Sequence, residues 1–133
     1  MIQNSYSARA VERFRNPRNY EELEEPDGHA VLTGPCGDTM EFWIQVDDGI
    51  VTACSFKTTG CGPSRACGSM ATELCEGKSV ADALELEQVD ILRALGGMPE
   101  EHQHCALLAA VTLRAALEEY RKHQADEEEQ VKG

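Results

Sequence analysis

Thr39-Met40-Glu41-Phe42-Trp43-Ile44-Gln45-Val46-Asp47-Asp48-Gly49-Ile50-Val51-Thr52-Ala53-Cys54-Ser55-Phe56-Lys57 is the stretch that decides the fold. Met40, Phe42, Ile44 and Val46 alternate with Thr39, Glu41, Trp43 and Gln45, the two-residue period of a half-buried strand. Ile50, Thr52, Cys54 and Phe56 alternate in the same way with Val51, Ala53, Ser55 and Lys57. Between them, Asp47-Asp48-Gly49 has the chemistry of a tight turn, so the two runs form an antiparallel hairpin. The start of its first strand and the end of its second then share one end of the sheet. Cys36 and Asp38 lie just before the first strand and Cys61 just after the second, so the hairpin gathers two cysteines that are 25 positions apart.

Upstream, Ala10, Val11 and Phe14 give Ser7 to Arg15 the spacing of a short amphipathic helix, which Asn16-Pro17 stops. An acidic run (Glu21, Glu22, Glu24, Glu25, Asp27) follows and is expected to be a solvated loop. His29 to Thr33 reads as an edge strand that ends at Gly34-Pro35. Downstream of Cys61, the stripe Ala66, Cys67, Met70, Ala71, Leu74 and Cys75 predicts a helix that Gly77 ends. Short helices follow, from the Ser79 cap to Leu84 and from Gln88 to Leu95, before the break at Gly96-Gly97-Met98-Pro99. The last and longest helix starts at His102 to Cys105 and is expected to reach about His123, burying Ala106, Ala109, Ala110, Leu113, Leu117 and Tyr120. Residues 1–123 thus form one domain, and the acidic stretch 124–133 is expected to be a disordered tail.

The 133 residues suffice for one core, and no apolar run approaches the ~20 residues that cross a bilayer. With a formal net charge of -12 and scattered basic residues, the chain is a poor match for a phosphate backbone, so no nucleic acid and no membrane is expected as partner. Met1-Ile2-Gln3-Asn4-Ser5-Tyr6 lacks the basic start and apolar stretch of a secretory signal, which predicts a cytoplasmic protein whose cysteines stay reduced. The six cysteines therefore read as thiols and not as three disulfides.

They fall into two groups. Cys54, Cys67 and Cys75 share faces with Ile50, Phe56, Met70 and Leu74 and read as core residues, with Cys67 also placed to be a spare ligand or sulfur acceptor. Cys36, Cys61 and Cys105 belong to loops or a helix start, where an unshielded sulfur is expected. Cys105 falls in the first turn of the longest helix, where unpaired N–H groups favour thiolate, and Cys61 precedes the helix before it. Asp38 and His104 put a second ligand-capable side chain beside Cys36 and Cys105. His102 stands two residues before His104, either as an exposed first-turn histidine or as a ligand or proton-handling group, whereas His29 and His123 are expected to face solvent.

Spacings of 25 and 44 residues are not those of a zinc-finger knuckle; the local contexts are more telling. Pro35-Cys36-Gly37-Asp38, Phe56-Lys57-Thr58-Thr59-Gly60-Cys61-Gly62 and His104-Cys105-Ala106-Leu107-Leu108 resemble the three ligand segments of the U-type iron-sulfur cluster scaffolds, the IscU and N-terminal NifU family. Tyr6-Ser7, Asn16-Pro17-Arg18-Asn19 and Gly77-Lys78-Ser79 extend the resemblance over about residues 5 to 122.

That resemblance implies an α+β fold, with a three-stranded antiparallel sheet packed against about five helices, the last one long. It implies a non-enzymatic scaffold on which Cys36, Cys61 and Cys105 hold a labile [2Fe-2S] cluster, with Asp38 or His104 completing the iron coordination. Sulfur would come from a cysteine desulfurase, with Cys105, Cys61 or Cys36 as persulfide acceptor, and apo iron-sulfur proteins would receive the cluster. It also allows a homodimer around the cluster, with Tyr6 a candidate contact, and zinc in the site as isolated, since three thiolates plus one O or N donor suit tetrahedral zinc. Members served by a dedicated DnaK-type chaperone carry a Leu-Pro-Pro-Val-Lys-like motif before the His-Cys pair. Here Met98-Pro99-Glu100-Glu101-His102 replaces it, which argues against that partner. The main rival is a SufU-type zinc-dependent sulfurtransferase, although the 44-residue step from Cys61 to Cys105 leaves little room for that group's insertion. A cysteine-histidine hydrolase fits poorly, because adjacent residues on a helix point apart.

Overall fold

The computed structural model describes residues 6–60 and 62–132. The chain runs α1 (Ala8–Arg15), β1 (Gly28–Thr33), β2 (Thr39–Asp47), β3 (Ile50–Thr58), α2 (Gly62–Cys75), α3 (Val80–Ala83), α4 (Gln88–Leu95), a 3-10 turn (Glu100–His102) and α5 (Gln103–Lys132). The sheet is antiparallel in the order β1-β2-β3, as expected of the α+β class. Asp48 and Gly49 turn the β2–β3 hairpin with φ of 53° and 77°, the paired positive values that match the twist of a two-residue hairpin. A register shift at Gln45/Val46 does not disturb the far end, where Met40 stands opposite Thr58.

Met40, Phe42 and Ile44 of β2 and Cys54 and Phe56 of β3 fill the core from one sheet face. Against them lie Ala66, Cys67, Met70, Ala71 and Cys75 of α2 and the buried stripe Ala106, Ala109, Ala110, Leu113 and Leu117 of α5. Helix and sheet approach closely at two glycines. A methyl group on Gly68 would come 2.2 Å from the Phe56 ring, which itself stacks on Phe42 with centroids 5.8 Å apart. One on Gly28 would come 2.3 Å from the Ala116 carbonyl oxygen, so glycine is what lets β1 lie against α5.

The acidic run is the exposed loop expected of it, with its ends tied to the sheet. Asn19 accepts a hydrogen bond from the Phe56 N–H on the free edge of β3, whereas Asp27 bonds the Ile44 carbonyl and, through its carboxylate, the Val46 N–H at the start of β1. The segment between therefore crosses the sheet on the face away from the helices, where Gln45 bonds the Glu24 carbonyl. Its carboxylates stay exposed, and on that face of the sheet Trp43 and Ser55 are only 5% and 1% exposed.

Two expectations are corrected. His29 does not simply face solvent: it stacks on Trp43 with centroids 5.4 Å apart and its Nε2 lies 2.6 Å from Glu41 Oε2. The cross-strand position opposite Trp43 enforces this. The last helix does not stop near His123 but continues to Lys132. Glutamate, glutamine, alanine and lysine sustain a helix, and between His123 and Gly133 there is neither glycine nor proline to end it.

Gly68→Ala is expected to cost about 1–3 kcal/mol by overpacking against Phe56. Urea denaturation measures it, and an unchanged midpoint would mean that the ring moves aside freely.

Candidate metal and sulfur centre

The turn between β1 and β2 presents the first two site residues. Thr33 pairs with Thr39, and the five residues between them close on two hydrogen bonds, Gly34 N–H to the Asp38 carbonyl (2.8 Å) and Gly37 N–H to the Gly34 carbonyl (3.0 Å). Pro35 and Cys36 are the central residues of this turn, and Gly37 takes up the positive φ of 93° that follows. Cys36 is exposed at the tip; Asp38 is half-buried and points inward. Both lie at the end of the sheet where β3 stops and α2 begins, as the hairpin predicts.

Cys61 lies outside the described residues, but its two chain neighbours do not. A methyl group on Gly60 would come 2.7 Å from Asp38 Oδ2 and 2.4 Å from Ser64 Oγ, so this link of the chain passes tightly over both side chains. Gly62 faces the Phe14 ring. Gly60, just past the end of β3, is thereby held beside the Asp38 carboxylate.

Helix α5 delivers the third segment. His104 and Cys105 occupy its first turn, with Nε2 of the exposed histidine 3.7 Å from Cys105 Sγ. On the other side His104 joins Pro35 and Cys36 in lining an open depression of about 350 Å³. Ser64, near the start of α2, completes the chain of contacts: its hydroxyl lies 3.1 Å from Asp38 Oδ2 and 3.5 Å from Cys105 Sγ. Cys36, Asp38, His104 and Cys105 are thus brought to one place. Among the described residues no three His, Cys, Asp or Glu side chains are close enough to hold a single ion.

One expectation changes here. The Cys105 sulfur is not unshielded: the residue is 4% exposed, because the first turn of α5 is seated on α2 with Ser64 against the sulfur. Tyr6 and His102 are engaged within the chain, with the Tyr6 hydroxyl 2.9 Å from His102 Nδ1 and the Tyr6 ring packed edge-on against Phe14. This contact holds the start of α1 to the turn that leads into α5.

Cys54, Cys67 and Cys75 are core thiols, as read from their faces. Cys67 is fully buried with Sγ 3.8 Å from Met98 Sδ, and burial, reinforced by the neighbouring Cys105, pushes its pKa far above the ordinary thiol range. Burial also raises Cys54 well above that range, with smaller contributions from Cys75 and Glu76. Neither supplies a thiolate near neutral pH.

Ser64 escapes a search for metal ligands because a serine hydroxyl is not one of the usual donors. The signal lay in helical spacing: Ser64 stands three residues before Cys67, on the same buried stripe, where a polar side chain needs a partner.

Residues 5–127 match the family model of the NifU-like N terminal domain. The chain belongs to this family. It is 40% identical over 116 residues to the iron-sulfur cluster assembly scaffold protein IscU 1 of Archaeoglobus fulgidus, covering 86% of this chain and 76% of that one. It is 38% identical over 130 residues to the scaffold protein IscU of Aquifex aeolicus, covering 96% of this chain and 83% of the relative. The fold matches the crystal structure of a nitrogen-fixing NifU-like protein (N-terminal) from Brucella abortus with a TM-score of 0.70 and 20% identity, over 91% of this chain and 97% of that one.

Alkylation at neutral pH, mapped by mass spectrometry, is expected to label Cys36 first and Cys105 more slowly. Cys54, Cys67 and Cys75 should react only on unfolding. Labelling of Cys67 as fast as Cys36 would contradict the burial described.

Proposed function

We propose that this NifU-type domain is a scaffold on which an iron-sulfur cluster is assembled and from which it is passed on. The observation that carries this is the convergence of Cys36, Asp38, His104 and Cys105 at one end of the sheet, beside the glycines that bracket Cys61. Family membership and the names of its relatives support the same reading. The cluster is cargo, of [2Fe-2S] type, held by the thiolates of Cys36, Cys61 and Cys105.

The donor set suits that cargo. Thiolates are the soft donors that hold iron bridged by sulfide. Before iron arrives, a cysteine desulfurase passes its sulfane sulfur to one of these thiols: the enzyme's S–S bond breaks, its cysteine returns to thiol, and Cys–SH becomes Cys–S–SH. Exposed Cys36 is open to such a transfer, whereas Cys105 requires the first turn of α5 to lift from Ser64. Asp38 or His104 supplies the fourth donor. Either binds iron less durably than a fourth thiolate, which favours release to an apo-protein over retention. Zinc can occupy the same donors in isolated protein.

Anaerobic reconstitution with iron and sulfide is the test. One [2Fe-2S] cluster per one or two chains is expected, with visible sulfide-to-iron absorption, acid-labile sulfide and transfer to an apo-ferredoxin. Zinc alone, with stimulation of a desulfurase and no labile sulfide, would replace this function with that of a zinc-dependent sulfurtransferase. In Asp38→Cys a fourth thiolate should slow transfer about tenfold or more, and an unchanged rate would remove Asp38 from the account of lability. Because acidic Glu100 and Glu101 stand where chaperone-dependent members carry an apolar and basic motif, a dedicated DnaK-type chaperone should show little ATPase stimulation. Robust stimulation would refute this.

A further inference from the structure

We infer that Ser64 is a positioning residue of the metal centre, whose one hydroxyl holds the Asp38 carboxylate and the Cys105 sulfur in register for an incoming ion. The inference rests on the proposed metal-binding role of this site. Ser64 is 2% exposed, in the first turn of α2, and its oxygen lies 3.1 Å from Asp38 Oδ2 and 3.5 Å from Cys105 Sγ. A hydroxyl has one hydrogen to give and two lone pairs to receive with. The carboxylate is the stronger acceptor, so the hydrogen goes to Asp38 Oδ2, and the oxygen holds Cys105 by accepting from its thiol S–H until an incoming ion displaces that proton.

The arrangement joins three elements through one atom. Asp38 comes from the β1–β2 turn, Cys105 from the start of α5, and Ser64 from α2 between them. The bond engages Oδ2 and leaves Oδ1 of Asp38 available to an ion. Gly60 makes the approach possible, since a side chain there would press on Ser64 Oγ at 2.4 Å and on Asp38 Oδ2 at 2.7 Å. Without the hydroxyl, half-buried Asp38 is free to swing toward solvent, and the ion must spend binding energy to recover it. Partners that orient a ligand in this way typically change metal affinity by about 10–100-fold when removed.

Cobalt(II) is a suitable probe, because its near-ultraviolet charge-transfer band reports bound thiolates and its d–d bands report the remaining donors. Wild-type protein and Ser64→Ala are titrated with cobalt(II) under anaerobic conditions, alone and combined with Asp38→Ala. Ser64→Ala should bind about tenfold more weakly or worse, keep the thiolate band, and show d–d bands moved to where Asp38→Ala has them. In the Asp38→Ala background the same change should alter affinity less than about twofold. Wild-type affinity and spectrum in Ser64→Ala, or an equal loss with and without Asp38, would overturn the inference while leaving the metal site standing. Absence of a thiolate band in wild-type protein would overturn both.

Alanine is the better helix former, so Ser64→Ala should keep its fold, which circular dichroism checks. Gly60→Ala is a second probe that retains both side chains but drives them apart. It should show the same weakening and band shift, and wild-type binding there would contradict the inference.

Discussion

The register of β2 against β3, with Met40 opposite Thr58, is the constraint on which the rest of the structure depends. Side chains alternate along a strand, so a slip of one residue would turn out of the core either Met40, Phe42 and Ile44 of β2 or Cys54 and Phe56 of β3. The core therefore enforces the register, and the register places the turn after β1 beside the link from β3 to α2. Chemistry at this end of the molecule is a consequence of apolar packing in its middle. The Phe42–Phe56 stack, wedged against Gly68, marks the point where that packing leaves least room for adjustment.

Helix α5 supplies the third segment by a separate constraint. Its small apolar stripe lies along α2 and β1, and the missing side chain at Gly28 lets the strand approach the Ala116 carbonyl. Once seated, the helix can place its first turn only over the start of α2, which brings Cys105 onto Ser64 and leaves His104 above Cys36. The same seating hides the Cys105 sulfur. The proposed donors lie on three elements, one of them a helix end, and movement of that end would open the proposed site without unfolding the sheet.

Much of this is legible in the sequence. The hairpin and the core placement of Cys54, Cys67 and Cys75 follow from alternation and helical spacing, which report local geometry directly, whereas the segments that bear Cys36, Cys61 and Cys105 stand out by their local contexts and the family resemblance. What was not legible depends on tertiary contact. Burial of Cys105 requires α5 to be docked; the role of Ser64 requires two distant turns to meet on it. The acidic segment shows that exposed carboxylates do not make a segment structurally idle, since its Glu24 carbonyl and both of its ends are hydrogen-bonded to the sheet. His29, read as solvent-facing from lack of sequence neighbours, found partners across the strand, and the tail remained helical because acidity does not itself break a helix.

X-ray absorption at the zinc edge of zinc-loaded protein tests the convergence of these segments most directly. Cys36, Cys61 and Cys105 with Asp38 or His104 predict three sulfurs at about 2.3 Å and one oxygen or nitrogen at about 2.0–2.2 Å. A shell of four sulfurs, or of fewer than three, would contradict the account, because it would require a core thiol to leave its packing or one of the three segments to lie elsewhere.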